Sequence, residues 1–405
     1  MKEDEENYYN EEQQMIEQED LVEQAAKHVM MAKKQRELFN IKKDLATVDA
    51  ISHPPTPDEH KVLCFVADYA QNMDIPSFRS EQPGETYYYS PLNDYCFGIV
   101  DCSHDPCLLT AYNYTEDYAK KGGNNVASML WIHLCSKKLL PNPTTDFAHK
   151  PIKEINLVFD NCSGQNKNRM VLRLLFFMVK LKMCCTARAI FLVRGHTKND
   201  CDRMFNQMKK LYWRQNIYTP NDLIQALNKG KQVDAVLLEE DGHMKDWDAL
   251  EDKLMKRLVG VKKNHIFEVT VNDSNAIKMY EYDGAPPTRH VVVRPEYHEV
   301  EDWYPFLDEL STIQTLGMPD IKWKELHDKW GPLIPESKKK EYRYYHEDLP
   351  ADLRAQISTN TKKAQATRKE RSRGSSATLN NRHSDGHQQQ QEIFDIKTAE
   401  ERMVI

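Results

Sequence analysis

No stretch of this 405-residue chain holds eighteen consecutive apolar residues, so nothing in it reads as a membrane span. The opening Met1-Lys2-Glu3-Asp4-Glu5-Glu6 lacks the apolar core of a secretory signal, and the expectation is an intracellular protein, the nucleus foremost. A disulfide framework is missing too. The nine cysteines are odd in number and scattered, with Cys184 beside Cys185, which suits a reducing compartment. There is no Walker loop, no GxSxG elbow and no HExxH pair, which removes three common catalytic signatures. Cys102-Ser103-His104-Asp105-Pro106-Cys107 offers three soft ligands and no second pair at CxxC spacing, so no structural zinc is expected.

What the chain does have is a central repeat of strand, acidic turn and helix over residues 155–213. Ile155-Asn156-Leu157-Val158-Phe159 reads as a buried strand ending on Asp160, followed by the polar turn Asn161-Cys162-Ser163-Gly164-Gln165-Asn166-Lys167-Asn168. Arg169 to Leu181 is apolar on almost every face, as a buried helix is. Ala189 to Val193 is a second strand, and Arg194 to Asp202 the turn after it. The helix that follows carries Met204, Met208 and Leu211 at i, i+4 and i+7. Two neighbouring parallel strands of this kind bring Asp160 and the Asp200/Asp202 pair to one end of a sheet, where open α/β sheets hold their sites.

Charge is segregated around that centre. The net charge is −7, yet Pro151 to Gln215 holds thirteen Lys or Arg against four acids. A basic surround with acids at its middle suits a polyanion held over a cation. Lys167, Arg169, Lys198, Arg203, Lys209 and Lys210 are the candidate nucleic-acid contacts. Asn161, Gln165, Asn166 and His196 are candidate substrate contacts through amides or an imidazole. A solvated helix surface and a polar helix start are the plain alternatives.

Along the rest of the chain, residues 1–50 contain neither glycine nor proline and carry Ile16, Leu21, Val22, Ala25, Val29, Met30 and Leu38 at roughly helical spacing. A long amphipathic helix, suited to self-association, is expected there. A His-Pro-Pro-Thr-Pro linker closes an arm over 1–57. Lys61 to Asp68 is a strand ending on an acid; Tyr87 to Tyr89, Tyr95 to Asp101 and Leu108 to Tyr114 are further β runs. A helix is expected from Val126 to about Leu139, then a Pro-Asn-Pro linker. Asn221 to Leu227 and Asp246 to Leu258 read as helices that close a domain spanning 58–258. His265–Val271, Ala276–Tyr282 and His290–Val293 read as a small β-rich module within 259–335. Residues 336–405 are a polar, basic tail with a glutamine tract, disordered by composition.

The predicted order β-β-β-α-β-α-β-α is the plan of a ribonuclease-H-like mixed α/β sheet: a meander, then parallel strands with crossover helices. In that plan the first strand, the fourth strand and the helix after the fifth each supply a carboxylate, here Asp68, Asp160 and either Asp202 or Asp200. Three acids at one sheet end hold two divalent cations, Mg²⁺ or Mn²⁺, for phosphoryl transfer.

Three blocks, Ala67-Asp68-Tyr69-Ala70-Gln71, Phe159 to Asn168 and Gly195 to Phe205, occur in the order in which they stand in a known family. With Glu116 and Gly122-Gly123-Asn124-Asn125-Val126-Ala127-Ser128, the chain over about residues 60–300 resembles the transposon-derived eukaryotic proteins of unassigned function with a ribonuclease-H-like, DDE/DDD transposase core. The resemblance implies that Asp68 and Asp160 are metal ligands and that Asp202, just before Arg203-x-Phe205, is the third, with Asp200 second in rank. It implies metal-dependent cleavage or strand transfer on DNA. The alternative it leaves open is a domesticated protein that keeps the fold and DNA or protein binding without turnover. The N-terminal acidic helix departs from the zinc-binding or DNA-recognition region such proteins often begin with.

Overall fold

The structure, a computed structural model, describes residues 2–52, 62–79, 83–141, 151–239, 242–342 and 344, with the side chains of residues 2–19 and of Asp252 excepted. The Pro-rich linker before Lys61, most of the linker after Pro141 and nearly all of the tail 336–405 lie outside those residues. The chain divides into two compact units. The described part of the first is residues 2–34, helical throughout. The second, from Gln35 to Asn360, holds everything below. The boundary expected at residue 57 therefore falls inside the long helix, because its C-terminal part packs as core.

Ten strands form a single mixed sheet: β1 (Val62–Tyr69), β2 (Met73–Ile75), β3 (Leu92–Asp101), β4 (Leu108–Thr115), β5 (Ile152–Phe159), β6 (Cys184–Phe191), β7 (Val233–Leu237), β8 (Ile266–Thr270), β9 (Asp273–Tyr280) and β10 (Thr288–Val291). Their order is β10-β9-β8-β6-β5-β1-β3-β4-β7, with β2 on β3. β3 is antiparallel to both β1 and β4; β5 is parallel to β1 and β6. The chain is therefore a mixed α/β protein. β8 to β10 continue this sheet antiparallel beyond β6, so the separate β-rich module expected over 259–335 is instead an extension of the main sheet. β8 offers Ile266, Phe267 and Val269 as buried residues, and the free edge of β6 was the place to bury them.

The strands alternate between two cores, as a period of two requires. On β1, Leu63, Phe65 and Ala67 join the core under α2 (Gly123–Ser136) and α3 (Arg169–Lys180), while Val62, Cys64 and Val66 face the other. That second face is covered by residues 35–52 of α1 (Lys2–Ser52), α4 (Asp200–Tyr212) and α5 (Pro220–Leu227). α1 contributes Leu38, Phe39 and Ala46. It is also tied by charge: Lys42 Nζ lies 2.8 Å from Glu154 of β5, and Arg188 of β6 pairs with both Glu154 and Glu268.

Two local expectations fail. Tyr87 and Tyr88 lie in a short 3₁₀ turn over Gly84–Tyr88 and are 85% and 81% exposed. Pro83-Gly84 and Pro91 favour a turn over a ladder there. Asp246 to Leu258 holds only a 3₁₀ turn (Trp247–Ala249) and a single turn of α-helix, α6 (Leu250–Lys253). β7 follows α5 and pairs parallel with β4, an edge strand that no sequence reading above anticipated.

α4 sits against the sheet at Gly98 of β3. A Cβ there would stand 2.4 Å from Phe205 Cε1 and 2.9 Å from Leu109 Cδ1. Gly98→Ala should therefore destabilise the protein by about 1–3 kcal/mol through overpacking, measured by urea unfolding. Adding Phe205→Leu, which withdraws the ring, should recover part of the loss.

Candidate active site

Asp68 and Asp160 reach the same sheet end by register. Ala67 of β1 pairs with Phe159 of β5, so each acid stands one residue past a paired position on neighbouring parallel strands. Asp68 follows Cys64 and Val66 toward the α4 side. Buried Asn166 serves both acids: its Nδ2 donates to Asp160 Oδ1 at 2.6 Å, and its side chain works against the upward push on the Asp68 carboxyl. Asp160 Oδ1 further accepts the Cys162 amide at 3.2 Å, and Asp68 Oδ1 that of Tyr69 at 2.7 Å. Asn166 Oδ1 is buried without a hydrogen-bond partner among the described residues.

Asp202 arrives on α4. Cys201, fully buried, donates its thiol to the Val66 carbonyl of β1 at 3.2 Å, and Phe205 one turn on fills the space above Gly98. The helix start is fixed by a capping box: Asn199 accepts from the Cys201 amide and Asp202 Oδ2 accepts from the Asn199 amide at 2.9 Å. Asp202 is thus a capping residue as well as a neighbour of β1. Burial, then the Asp160 carboxylate and more weakly that of Asp202, push the Asp68 carboxyl up to about 7. The three acids are electrostatic neighbours. They are not a tight cage: no three His, Cys, Asp or Glu side chains among the described residues come close enough together to hold a metal ion.

Asp200 does not belong with them. Both its oxygens take Lys43 Nζ of α1 at 2.8 Å, and Oδ1 takes Arg203 at 3.1 Å. Its expected rank as an alternative ligand is corrected: two residues along a helix is about 200°, which turns its side chain away from that of Asp202. The expected basic surround is also thinner than its sequence count. Lys167 is buried, donates to the Lys262 carbonyl at 2.9 Å, and has its ammonium drawn down to about 8 by burial and then by Arg194. It is an internal tie and not a phosphate contact. Arg169 pairs with Glu251, as does Arg173. Lys209 bonds Gln71 at 2.8 Å. Lys198, Arg203 and Lys210 are exposed.

Among the expected substrate contacts, Asn161 Nδ2 meets His265 Nε2 at 3.2 Å. His265 Nδ1 lies 3.0 Å from the Glu281 carbonyl, which assigns the proton to Nδ1 and leaves Nε2 to accept. Burial and then Lys167 draw this imidazole down to about 4, so it is neutral. Gln165 and His196 sit on the turns, and the His196 and Lys198 carbonyls each accept Arg36 Nη2 at 2.8 Å. Sequence reasoning missed Arg36, Lys43, His265 and Lys121. Lys121 Nζ donates to the Ala70 carbonyl beside Asp68 and stands over the Tyr69 and Tyr95 rings. Only Lys121 had a signal, its place beside Gly122-Gly123. The others are brought in from α1 and from the residue before β8 by tertiary packing.

Asp68 also makes stability depend on pH. The folded carboxyl keeps its proton up to about 7, whereas an unfolded one releases it near its ordinary 3.8. Between these values the folded state binds more protons, so stability falls as pH rises and levels off above 7. Asp68→Asn removes that slope. The variant should equal the parent near pH 4 and exceed it by about 1 kcal/mol at pH 8, after discounting for partial exposure, in paired urea melts.

Residues 127–285, less than half of the chain, match the model of a domain of unknown function (DUF7869); the stretch includes Asp160 and Asp202 and starts after Asp68. No curated protein and no solved structure gives a match.

Proposed function

We propose that the second unit is a ribonuclease-H-like domain of the transposase type that cuts or joins DNA phosphodiesters with Mg²⁺ or Mn²⁺. The observation that carries this reading is the joint placement of the acids. In the sheet segment β4-β3-β1-β5-β6, with β3 reversed, one acid ends β1, one follows β5 and one opens α4. That order, with that set of positions, supports the reading.

The donor set fits a hard divalent cation. Asp68 and Asp160 are carboxylates close enough for one to hold the other's pKa up, and Asn166 Oδ1 is an orphaned oxygen beside them. A bound cation would supply positive charge against the charge that develops on phosphodiester oxygens. Asp68 and Asp160 would hold it, and Asn166 keeps the two acids apart and oriented. Asp202, held by its cap, adds negative charge from the third side. The neutral His265 fixes Asn161 as a polar contact at the rim, and Lys198 and Arg203 are exposed for backbone phosphate.

A second reading, a domesticated domain that binds DNA without turnover, is favoured by one observation: among the described residues the acids do not gather into a three-ligand group, and Asn166 already donates to Asp160. Two measurements on the full chain separate the readings. Supercoiled plasmid should be nicked with Mg²⁺ or Mn²⁺, and Asp160→Asn should lower the rate by at least about 100-fold, in line with removing one strong electrostatic stabiliser. Equal nicking by that variant sinks the assignment. Calorimetric titration with Mg²⁺ should show binding that the Asp68, Asp160, Asp202 triple Asn variant lacks; identical traces identify a retired site.

A further inference from the structure

The outer face of α4 carries a row that the acid site does not use. Arg203, Gln207 and Lys210 fall at i, i+4 and i+7 on one face of α4, Arg214 follows in the turn after the helix ends at Tyr212, and all four are exposed. From Arg203 to Lys210 the row spans about 10 Å, seven residues at about 1.5 Å each. At its far end Trp213 is 63% exposed. That end is rigid: the Tyr212 hydroxyl donates to the Asp74 carbonyl at 2.8 Å, and Ser77 and Ile217 exchange backbone hydrogen bonds at 2.8 Å. The Arg79 amide donates to Asn216 Oδ1 at 2.8 Å, which places a further exposed arginine at the same end.

Between Arg203 and Gln232 the chain holds six Lys or Arg and one acid, Asp222. Asp222 is buried and paired with Lys338 at 2.7 Å. Among the described residues Lys210, Arg214 and Arg79 have no ion pair. An exposed indole alone means little. At the end of a row that holds the unpaired cations Lys210 and Arg214 it supplies what a nucleic-acid strand needs, phosphate neutralisation and a ring on which a base stacks. An acidic peptide would satisfy the cations and leave the indole unexplained.

We propose that this face of α4 is a docking track for single-stranded DNA. Phosphates run along Arg203, Lys210 and Arg214, and one base stacks on Trp213. At about 3.4 Å per stacked nucleotide the helical part of the track takes roughly three. The proposal deepens the reading above and rests on it for the direction of the strand, whose other end leads to the acids at the start of α4.

The test is fluorescence anisotropy of a labelled oligothymidine of about 15 nucleotides with the full chain, in EDTA so that no divalent ion takes part. Trp213→Ala should weaken binding about ten-fold or more, and Trp213→Phe should restore most of it. Lys210→Gln with Arg214→Gln should reduce the slope of log K against log salt by roughly 1.4, at about 0.7 per phosphate on a single strand. These residues are exposed, and unchanged thermal melts confirm folding. Unchanged affinity in both the Trp213→Ala and the double variant overturns the proposal, and so does equal competition by polyglutamate. Failure of the catalytic reading shows separately, as absent metal-dependent nicking while this binding persists.

Discussion

The seat of α4 on the sheet is the constraint on which the candidate site depends. Gly98 leaves a gap in β3 that the Phe205 ring occupies, and the Cys201 thiol reaches the β1 backbone one turn earlier. Those two contacts set the height and rotation of the helix. Asp202, next to Cys201, is thereby directed to the neighbourhood of Asp68. Asp200 is turned outward to Lys43. A side chain at position 98 would lift the helix and loosen the whole arrangement, because cores answer added volume with backbone shifts.

Around that seat, like charges are kept together at a local cost. Asp68 holds its proton to near neutrality because burial and the Asp160 carboxylate oppose its ionisation. Structural acids are ordinarily paired with cations, as Glu154 and Glu268 are with Arg188 on the same sheet. An unpaired acid couple bridged by one amide is the kind of local conflict that folds keep at functional positions. α1 contributes from far along the chain. Arg36 holds two carbonyls of the turn before α4, and Lys43 holds Asp200 in its first turn.

The legible part of the fold was whatever rests on apolar patterning. The buried strands ending at Asp68 and Asp160, the all-apolar α3 and the amphipathic α4 stand where their periods put them, since burying those faces admits few arrangements. Less legible was anything set by competition between partners. The run from Ile266 to Val291 has the pattern of a small sheet, and only the open edge of β6 decides that it joins the large one. The Tyr87-Tyr88 pair has strand propensity, and the prolines around it overrule that. Thirteen basic residues near the site looked like a phosphate surround. Several of them, Lys167, Arg169, Arg173 and Arg188 among them, are spent on internal carbonyls and acids.

By itself the sequence determined the mixed α/β architecture, the order of its central elements and the acids that end two of its strands, because hydrophobic period and turn chemistry are local properties. Only the tertiary structure decided which acids face one another, which cations stay outside, and that α1 and the residue before β8 reach the site. Those outcomes depend on helix rotation, strand register and contacts between residues more than a hundred positions apart, and no local pattern encodes them.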